Sequence, residues 1–270
     1  MNYNRLLGSK LAKYVNKKYG IITYSGTLAI EVALKSLRLK RKSKVLISSN
    51  VCYSIINTVL KLGLVPVIKT PNNGLFFTND DIDVVIDKEI IDCILLVHQF
   101  GILNNISKRK YKKLNIKIIE DVAQAWDLKD NNGINNIGID SDIVVTSFGS
   151  TKPISYGIGG GLFFDNKKIF KEIDFCVNES REKRGITLSY AYPLCKEIKL
   201  DYLLEKANEI VDEQRLCARE YSNVLLNQKT IKYMNYEQNS GNVWHRFPMW
   251  IENQKTFEKI KKILEKSTLE

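Results

Sequence analysis

The sequence lacks long apolar runs, and this absence excludes one large class of proteins. No apolar segment approaches the ~20 residues that a membrane-spanning helix needs. Residues 1–18 are polar and rich in lysine, and they lack the apolar core of a secretory signal peptide. We therefore expect a cytoplasmic protein without a membrane-spanning segment.

Cysteine and histidine are also scarce. The five cysteines are an odd number, and none stands close enough to another in sequence to frame a zinc site or a redox pair. Histidine occurs only twice. The sequence therefore predicts no metal site, and the thiols are expected to be reduced and mostly buried.

Acidic residues are too few to balance the basic ones. The chain has 30 Asp and Glu against 41 Lys and Arg, a net charge of +11. Such an excess suits either nucleic acid or an anionic small molecule. The densest basic runs, at residues 38–44 and 108–113, lie between a predicted helix and the next strand, where they are usually solvated. Because the lysine bias extends through the whole chain, we expect no nucleic-acid partner.

The apolar pattern predicts an α/β fold with a mostly parallel central sheet. Helical spacing covers residues 6–18, 28–37, 55–62, 200–226 and 257–264. Short apolar runs predict strands at residues 21–24, 44–48, 65–68, 84–86, 93–97, 116–119, 143–146, 162–164 and 243–251. Strands alternating with helices indicate a sheet flanked by helices, and the runs at 116–119, 143–146 and 162–164 suggest buried parallel strands.

The predicted elements divide into two domains. A chain of 270 residues is long enough for one large α/β domain and a smaller one. The sequence turns polar over residues 168–184, where we place the boundary. The prediction is a large domain at residues 1–175 and a reduced C-terminal α+β domain at residues 176–270.

Polar groups follow the predicted strands between residues 116 and 161. Asp121 and Gln124 follow one strand, and Ser147 and Lys152 follow the next. Open α/β sheets bind ligands at the carboxyl ends of their strands. A carboxylate, a lysine and a hydroxyl together suit pyridoxal phosphate, which needs a lysine for its Schiff base and an aspartate for its ring nitrogen. Singly, such an Asp caps a turn and such a Lys lies on the surface.

A candidate phosphate site precedes the helix at residues 28–37. Gly26 and Thr27 stand at its N-terminus, where free backbone N–H groups and the helix dipole favour an anion. An ordinary threonine cap gives the same pattern. The lysine and aspartate downstream favour the phosphate.

These motifs together resemble the DegT/StrS-type sugar aminotransferases, which are fold-type I pyridoxal phosphate enzymes. The resemblance rests on Gly26-Thr27, on Glu-Asp-Val-Ala-Gln-Ala from Glu120, and on a serine five residues before a lysine. It covers about residues 8–225. The residues that it assigns are Lys152 and Asp121 for catalysis and Gly26, Thr27, Tyr53, Asp121, Gln124, Ser147 and Lys152 for the cofactor.

The resemblance gives each residue an expected role. Lys152 would carry the cofactor, Asp121 would pair with the ring nitrogen, Gln124, one helical turn on, would bond the ring hydroxyl, and Ser147 would bind the phosphate. Residues 50–53 align with the family's segment from which an aromatic side chain stacks on the cofactor ring. The residue at the aligned position is Cys52, and Tyr53 follows it. We assign the stack to Tyr53, although this tyrosine could equally well be buried in the core.

Of the two histidines, His98 begins a segment like the family's His-x-x-Gly. It either orients cofactor or substrate or only holds a loop. His245 is given no role.

The function that the resemblance implies is transfer of an amino group, from glutamate, to a keto sugar on a nucleotide, by a homodimer, in surface polysaccharide or amino-sugar biosynthesis. A pyridoxal phosphate sugar dehydratase is the runner-up, disfavoured because related dehydratases replace the lysine. A degenerate binding or regulatory homologue is the non-enzyme alternative. Two departures stand out: residues 188–194 lack the family's Asn-containing segment, and the small domain is about half its usual length.

Overall fold

Seven strands form the central sheet in the part of the protein that the structure describes. The computed structural model describes residues 3–130, 132–173, 200–228 and 231–267. The strand order is β1-β7-β6-β5-β4-β2-β3. The strands are β1 Tyr19–Thr23, β2 Lys44–Ser48, β3 Val65–Lys69, β4 Cys93–Val97, β5 Lys117–Asp121, β6 Ile143–Ser147 and β7 Gly160–Phe164.

Helices cover the sheet, and a small hairpin-like sheet follows. The helices are α1 Tyr3–Ala12, α2 Gly26–Ser36, α3 Tyr53–Lys61, α4 Asn79–Ile86, α5 Lys108–Lys113, α6 Leu200–Leu225 and α7 Gln254–Ser267. The strands β8 Ile231–Tyr233 and β9 Met249–Ile251 pair antiparallel. None of these helices is both long and apolar enough to cross a membrane.

Both faces of the large sheet are buried, which explains why its strands are apolar throughout. Side chains of α2 and α3 pack on one face with residues such as Ile119 and Val145. Helices α1 and α6 pack on the other face near Val144 and Phe163, and α4 and α5 cover its far end. Because polar side chains are excluded from both faces, they collect at the strand ends.

The α/β fold and the mostly parallel sheet are confirmed, but the direction of β7 was predicted wrongly. Strand β7 runs antiparallel to both β1 and β6. Residues 148–159 connect β6 to β7 through turns and bends rather than a crossover helix, which a parallel pair normally requires. The apolar pattern of residues 162–164 could not reveal this, because a strand buried on both faces looks the same in either direction.

The strand predicted at residues 84–86 is wrong, because those residues end helix α4. Thr78 and Asp81 form a capping box, in which each side chain accepts a hydrogen bond from the other residue's backbone N–H. These bonds satisfy donors that the first turn of a helix leaves free. Ile82 and Val85, three residues apart, then face the core.

The strand predicted at residues 243–251 is also too long. Trp244 has a φ of 60°, which interrupts an extended chain, and only β9 at its end is a strand. The backbone N–H groups of Val243 and Arg246 instead donate to the carbonyls of Gly101 and Phe100, at 2.8 and 3.2 Å. The C-terminal segment is thereby bound to the loop after β4. The predicted domain boundary near residue 175 and the segment at 188–194 lie outside the described residues.

Candidate active site

A pocket of about 260 Å³ lies at the carboxyl ends of β4, β5 and β6, where the N-termini of α2 and α3 meet them. It is the place where open α/β sheets bind their ligands. Its lining residues are Ser25, Gly26, Thr27, Ile30, Cys52, Ser54, Ile55, Val97, Gln99, Asp121, Ala123, Gln124, Thr146, Ser147 and Lys152. A larger open cleft beside β9 is lined by none of the predicted site residues.

The N-terminus of α2 forms the anion-binding end of this pocket. Ser25 caps the helix, and its Oγ accepts a hydrogen bond from the Leu28 N–H at 3.1 Å. Gly26 and Thr27 form the first turn of α2 and line the pocket. The positive end of a helix, where the first turn presents its backbone N–H groups, suits a phosphate.

Helix α2 and strand β6 meet here at very short range. A Cβ at Gly26 would lie 2.8 Å from Ser147 Cβ and 3.2 Å from Ser147 Oγ. Only glycine permits this approach, which places the serine hydroxyl beside the helix N-terminus. Ser147 Oγ also accepts a hydrogen bond from Gly149 N–H at 3.3 Å, and its own proton can serve a phosphate oxygen.

We predict that Gly26→Ala weakens phosphate binding in this pocket. The added methyl group must displace Ser147 or the start of α2, so affinity for pyridoxal phosphate should fall about tenfold or more, the effect of losing one charge-assisted hydrogen bond. Affinity is measured by titration of the cofactor absorbance. Gly149→Ala is the matched control, because a Cβ there meets nothing closer than 3.5 Å. Equal affinities for the two variants would contradict the phosphate assignment.

Asp121 ends β5 and is almost fully buried against the pocket, with 6% of its surface exposed. Its Oδ1 accepts a hydrogen bond from Ala123 N–H at 2.9 Å, and its other oxygen has no partner among the described residues. Burial raises the pKa of Asp121, opposed by that hydrogen bond and by the charges of Lys152 and His98. A buried carboxylate with a free oxygen fits a protonated ring nitrogen.

Lys152 lines the same pocket from the turn after β6. Its backbone N–H donates to Gly149 O at 2.9 Å, which fixes the turn. Its ammonium group makes no hydrogen bond or ion pair with any residue that the structure describes. The lysine is therefore free to bond covalently to an aldehyde in the pocket.

Gln124 reaches the pocket differently from the way we predicted. The residues after Asp121 form consecutive turns, not a helix, with Ala125 N–H donating to Val122 O at 2.9 Å. Gln124 Oε1 accepts a hydrogen bond from Phe100 N–H at 2.7 Å. This bond orients the amide, so that its NH₂ group remains available to a ring oxygen.

His98 is buried behind the pocket, and it is not among the lining residues. Its Nδ1 accepts a hydrogen bond from Asn104 N–H at 3.0 Å, and its Nε2 lies 3.3 Å from Glu120 Oε1. Its backbone N–H donates to Asp121 O at 3.0 Å. These contacts favour the loop-holding interpretation of His98 over direct contact with a substrate.

Glu120 is a residue of this region that sequence reasoning missed. Its carboxylate accepts hydrogen bonds from Lys108 Nζ at 2.8 Å and from Gly138 N–H at 2.7 Å. Burial alone would raise its pKa, but the hydrogen bond to His98 and the charge of Lys108 hold the pKa at about 2. Because side chains alternate along a strand, Glu120 anchors the face of β5 opposite to Asp121. The acidic pair in the motif was the available signal.

We predict that Glu120 makes the stability of the protein pH-dependent in acid. Its folded pKa of about 2 lies below the value of 4.5 for a free glutamate. The stabilisation is therefore complete above pH ~4.5 and is lost as the pH falls towards 2, a change on the order of 3 kcal/mol. Denaturant unfolding between pH 2 and pH 7 measures it. Glu120→Gln should be less stable at pH 7 and lack this component.

The matched control for that experiment is Glu209→Gln, which removes an exposed carboxylate paired with Lys206. Exposed pairs contribute little. The assignment to Glu120 would be contradicted if its Gln variant, the control and the unmodified chain all lost stability equally as the pH falls.

Tyr53 lies outside the pocket. It is the first residue of α3, it is 71% exposed, and it is absent from the lining, whereas Cys52, Ser54 and Ile55 are present. Cys52 has extended backbone angles at the helix start, so the chain turns there and residue 53 points away. The predicted stack by Tyr53 finds no support in these contacts. The helical spacing predicted at residues 55–62 was the signal for a helix N-terminus near this position.

The structure thus brings together six of the predicted site residues in one pocket and leaves two outside it. The six are Gly26, Thr27, Asp121, Gln124, Ser147 and Lys152, and the two are Tyr53 and His98. The donor set fits pyridoxal phosphate: a helix N-terminus and a hydroxyl for the phosphate, a buried carboxylate for the ring nitrogen, and an amine for the aldehyde.

The fold and the pocket are those of a pyridoxal phosphate-dependent aminotransferase. Comparison with known sequences identifies the family. The profile of the DegT/DnrJ/EryC1/StrS aminotransferase family matches residues 2–270. The chain belongs to this family, as its motifs predicted. The enzymes of the family use pyridoxal phosphate, the cofactor predicted from the sequence.

Two curated relatives show the range of the family around this chain. The 3-oxo-glucose-6-phosphate:glutamate aminotransferase of Bacillus subtilis (strain 168) is 25% identical over 260 residues, or 90% of this chain and 56% of the relative. GDP-perosamine synthase of Escherichia coli O157:H7 is 24% identical over 233 residues, or 82% of this chain and 62% of the relative. The chain therefore spans less than two thirds of either relative.

Solved structures share the fold at low identity. NtdA from Bacillus subtilis with bound PMP superposes with a TM-score of 0.72 at 24% identity, covering 94% of this chain and 59% of that one. The E. coli GDP-4-keto-6-deoxy-D-mannose-3-dehydratase with bound hydrated PLP superposes at 0.71 and 16% identity, covering 94% and 72%. The fold alone therefore does not separate aminotransferases from dehydratases.

Proposed function

We propose that this chain is a pyridoxal phosphate-dependent sugar aminotransferase that moves an amino group from glutamate to a nucleotide-linked keto sugar. One observation carries the proposal: a single pocket contains a helix N-terminus with Ser147 at one end and both Asp121 and Lys152 on its walls. The family whose profile matches the chain is named for aminotransferases, which supports this reaction class.

Five of the residues that line the pocket would have a task in that reaction. The bound cofactor supplies an electron sink that stabilises negative charge on the carbon that bears the amino group. Gly26, Thr27 and Ser147 would hold its phosphate, and Asp121 would keep a proton at its ring nitrogen. Lys152 would hold the cofactor through its amine and would serve as the pocket's base for moving a proton.

The substrate class follows from charge and from the relatives. One relative is named for a sugar phosphate and another for a GDP-linked sugar, so each name refers to a sugar that bears phosphate. The net charge of +11 suits an anionic substrate. We propose that the substrate is the nucleotide-linked sugar. We also propose that the protein is a homodimer, because two-fold dimers are the commonest assembly of soluble proteins. A fully active monomer by light scattering would contradict the dimer.

A sugar dehydratase is the second candidate, since one such enzyme shares the fold. The presence of Lys152 in the pocket opposes it, because related dehydratases replace that lysine. Incubation with a 4-keto-6-deoxy nucleotide sugar and ¹⁵N-labelled glutamate separates the two activities: the aminotransferase leaves the labelled nitrogen on the sugar, whereas the dehydratase removes a sugar hydroxyl group and leaves no nitrogen on the product.

The absorbance spectrum of the cofactor tests the proposal. Glutamate should convert the visible band to the near-ultraviolet band of the aminated cofactor, and a keto nucleotide sugar should restore the first band. A nucleic-acid binder would instead bind DNA with log K falling by about 0.9 per phosphate contact per unit log salt. A spectrum unchanged by every amino donor, together with tight and steeply salt-dependent DNA binding, would overturn the aminotransferase assignment.

A further inference from the structure

Cys52 is a free thiol in the pocket to which no role has been given. It lies at the N-terminus of α3, on the wall formed with Ser54 and Ile55, and it is exposed. The hydroxyl of Ser54 donates a hydrogen bond to its Sγ at 3.1 Å. The thiol therefore opens into the same small pocket that contains Asp121 and Lys152.

A second observation indicates that this pocket takes a ligand. Thr146 lines the pocket with only 1% of its surface exposed, and its buried Oγ1 has no hydrogen-bond partner among the described residues. Burying an unpaired hydroxyl is costly unless a ligand completes its bonding. A ligand that reaches both Asp121 and the N-terminus of α2 fills a pocket of only about 260 Å³ and must cover the wall at Cys52.

The other described cysteines are placed differently. Cys93 is completely buried within β4, and burial raises the pKa of its thiol. Cys217 is exposed on α6 and does not line the pocket. Cys217 therefore provides an accessible thiol away from the pocket within the same chain.

We propose that Cys52, rather than Tyr53, forms the wall that faces the flat cofactor ring, and that its thiol is a modification site controlled by pocket occupancy. Small soft electrophiles reach the thiol when the pocket is empty and are excluded when the cofactor fills it. The inference rests on the proposed function, since it takes the pyridoxal cofactor as the occupant. Sulfur also packs favourably against aromatic rings.

The reaction used as a probe is S-alkylation by iodoacetamide. The sulfur of Cys52 attacks the iodine-bearing carbon, a carbon–sulfur bond forms, the carbon–iodine bond breaks, and iodide and the thiol proton leave. The product carries a carboxamidomethyl group that projects into the pocket. This group competes for volume with any later ligand.

The experiment measures alkylation rates at Cys52 and Cys217 by peptide mass spectrometry, with and without pyridoxamine phosphate. This form of the cofactor lacks the aldehyde and so cannot react with the thiol. At a concentration ten times its Kd it leaves about one pocket in eleven empty, so the Cys52 rate should fall about tenfold. The rate at Cys217 should not change. In the reverse order, alkylated protein should lose about tenfold or more in cofactor affinity.

Cys52→Ser tests the assignment directly. Its cofactor affinity should be the same before and after iodoacetamide treatment, because the only pocket thiol among the described residues has been removed. This inference would be overturned, and the proposed function left standing, by either of two results. The first is that bound cofactor does not slow the alkylation of Cys52, and the second is that alkylation of Cys52 leaves the cofactor affinity unchanged. A chain that binds no pyridoxal cofactor at all, judged by its spectrum, would overturn the inference and the proposed function together.

Discussion

Lys152→Ala is expected to abolish covalent attachment of pyridoxal phosphate and to lower aminotransferase turnover by on the order of 10³-fold or more. The reason is positional: no other lysine or arginine lines the pocket in the described part of the chain. A noncovalently held cofactor can still bind through α2 and Ser147, so affinity should fall much less than turnover.

The measurement combines the visible spectrum with chemical trapping. In the unmodified protein, borohydride should fix the cofactor on the peptide that contains Lys152, and the variant should show no such adduct. Lys129→Ala is the control, since that lysine pairs with Asp127 outside the pocket. A variant that keeps both the visible band and a borohydride-fixed cofactor on another lysine would refute the assignment.

Asp121→Asn is expected to preserve cofactor binding to within a few fold while slowing turnover by about 10²- to 10⁴-fold, the range of a lost proton-holding group. An amide fills the same volume but carries no charge, so the ring nitrogen loses the anion that keeps it protonated. The free oxygen of Asp121, deep in the pocket, has no other partner among the described residues to take over that task.

The pH dependence of cofactor affinity checks the same role independently. Burial raises the pKa of Asp121, so lowering the pH through that pKa protonates the carboxylate and removes the partner of the ring nitrogen. Affinity should therefore fall on the acid side in the unmodified protein, and this component should be missing in Asp121→Asn. Asp140→Asn, at an exposed pair with Arg109, is the control. Unchanged turnover in Asp121→Asn would exclude the electron-sink role.

Short stretches of the sequence were sufficient to predict most of the strands and helices that position the site residues. The apolar runs that became β5 and β6 are bounded by Asp121 and Ser147, and a parallel arrangement of two such strands places both residues at one edge of the sheet. The helix that starts at Gly26 was visible from its apolar spacing. Each of these features is encoded within a few neighbouring residues.

Besides the wrong element types at residues 84–86 and 243–251, two predictions about direction and about which side chain faces the pocket found no support in the structure. The pattern of β7 is equally apolar in either direction, and only its pairing with β1 and β6 showed it to be antiparallel. Tyr53 was preferred to Cys52 because aromatic rings stack, but the backbone at the start of α3 turns Cys52 towards the pocket. Neither fact is encoded in residue type or spacing.

The sequence by itself determined the strand ends, the helix N-terminus and the order of Asp121, Ser147 and Lys152, because periodicity and composition act over one element at a time. The tertiary structure alone decided that α2 and β6 approach closely enough to require glycine at residue 26. It also decided that Glu120, Lys108 and His98 share one buried hydrogen-bond network beneath the site. Such contacts join residues far apart in the chain, and packing of whole elements fixes them.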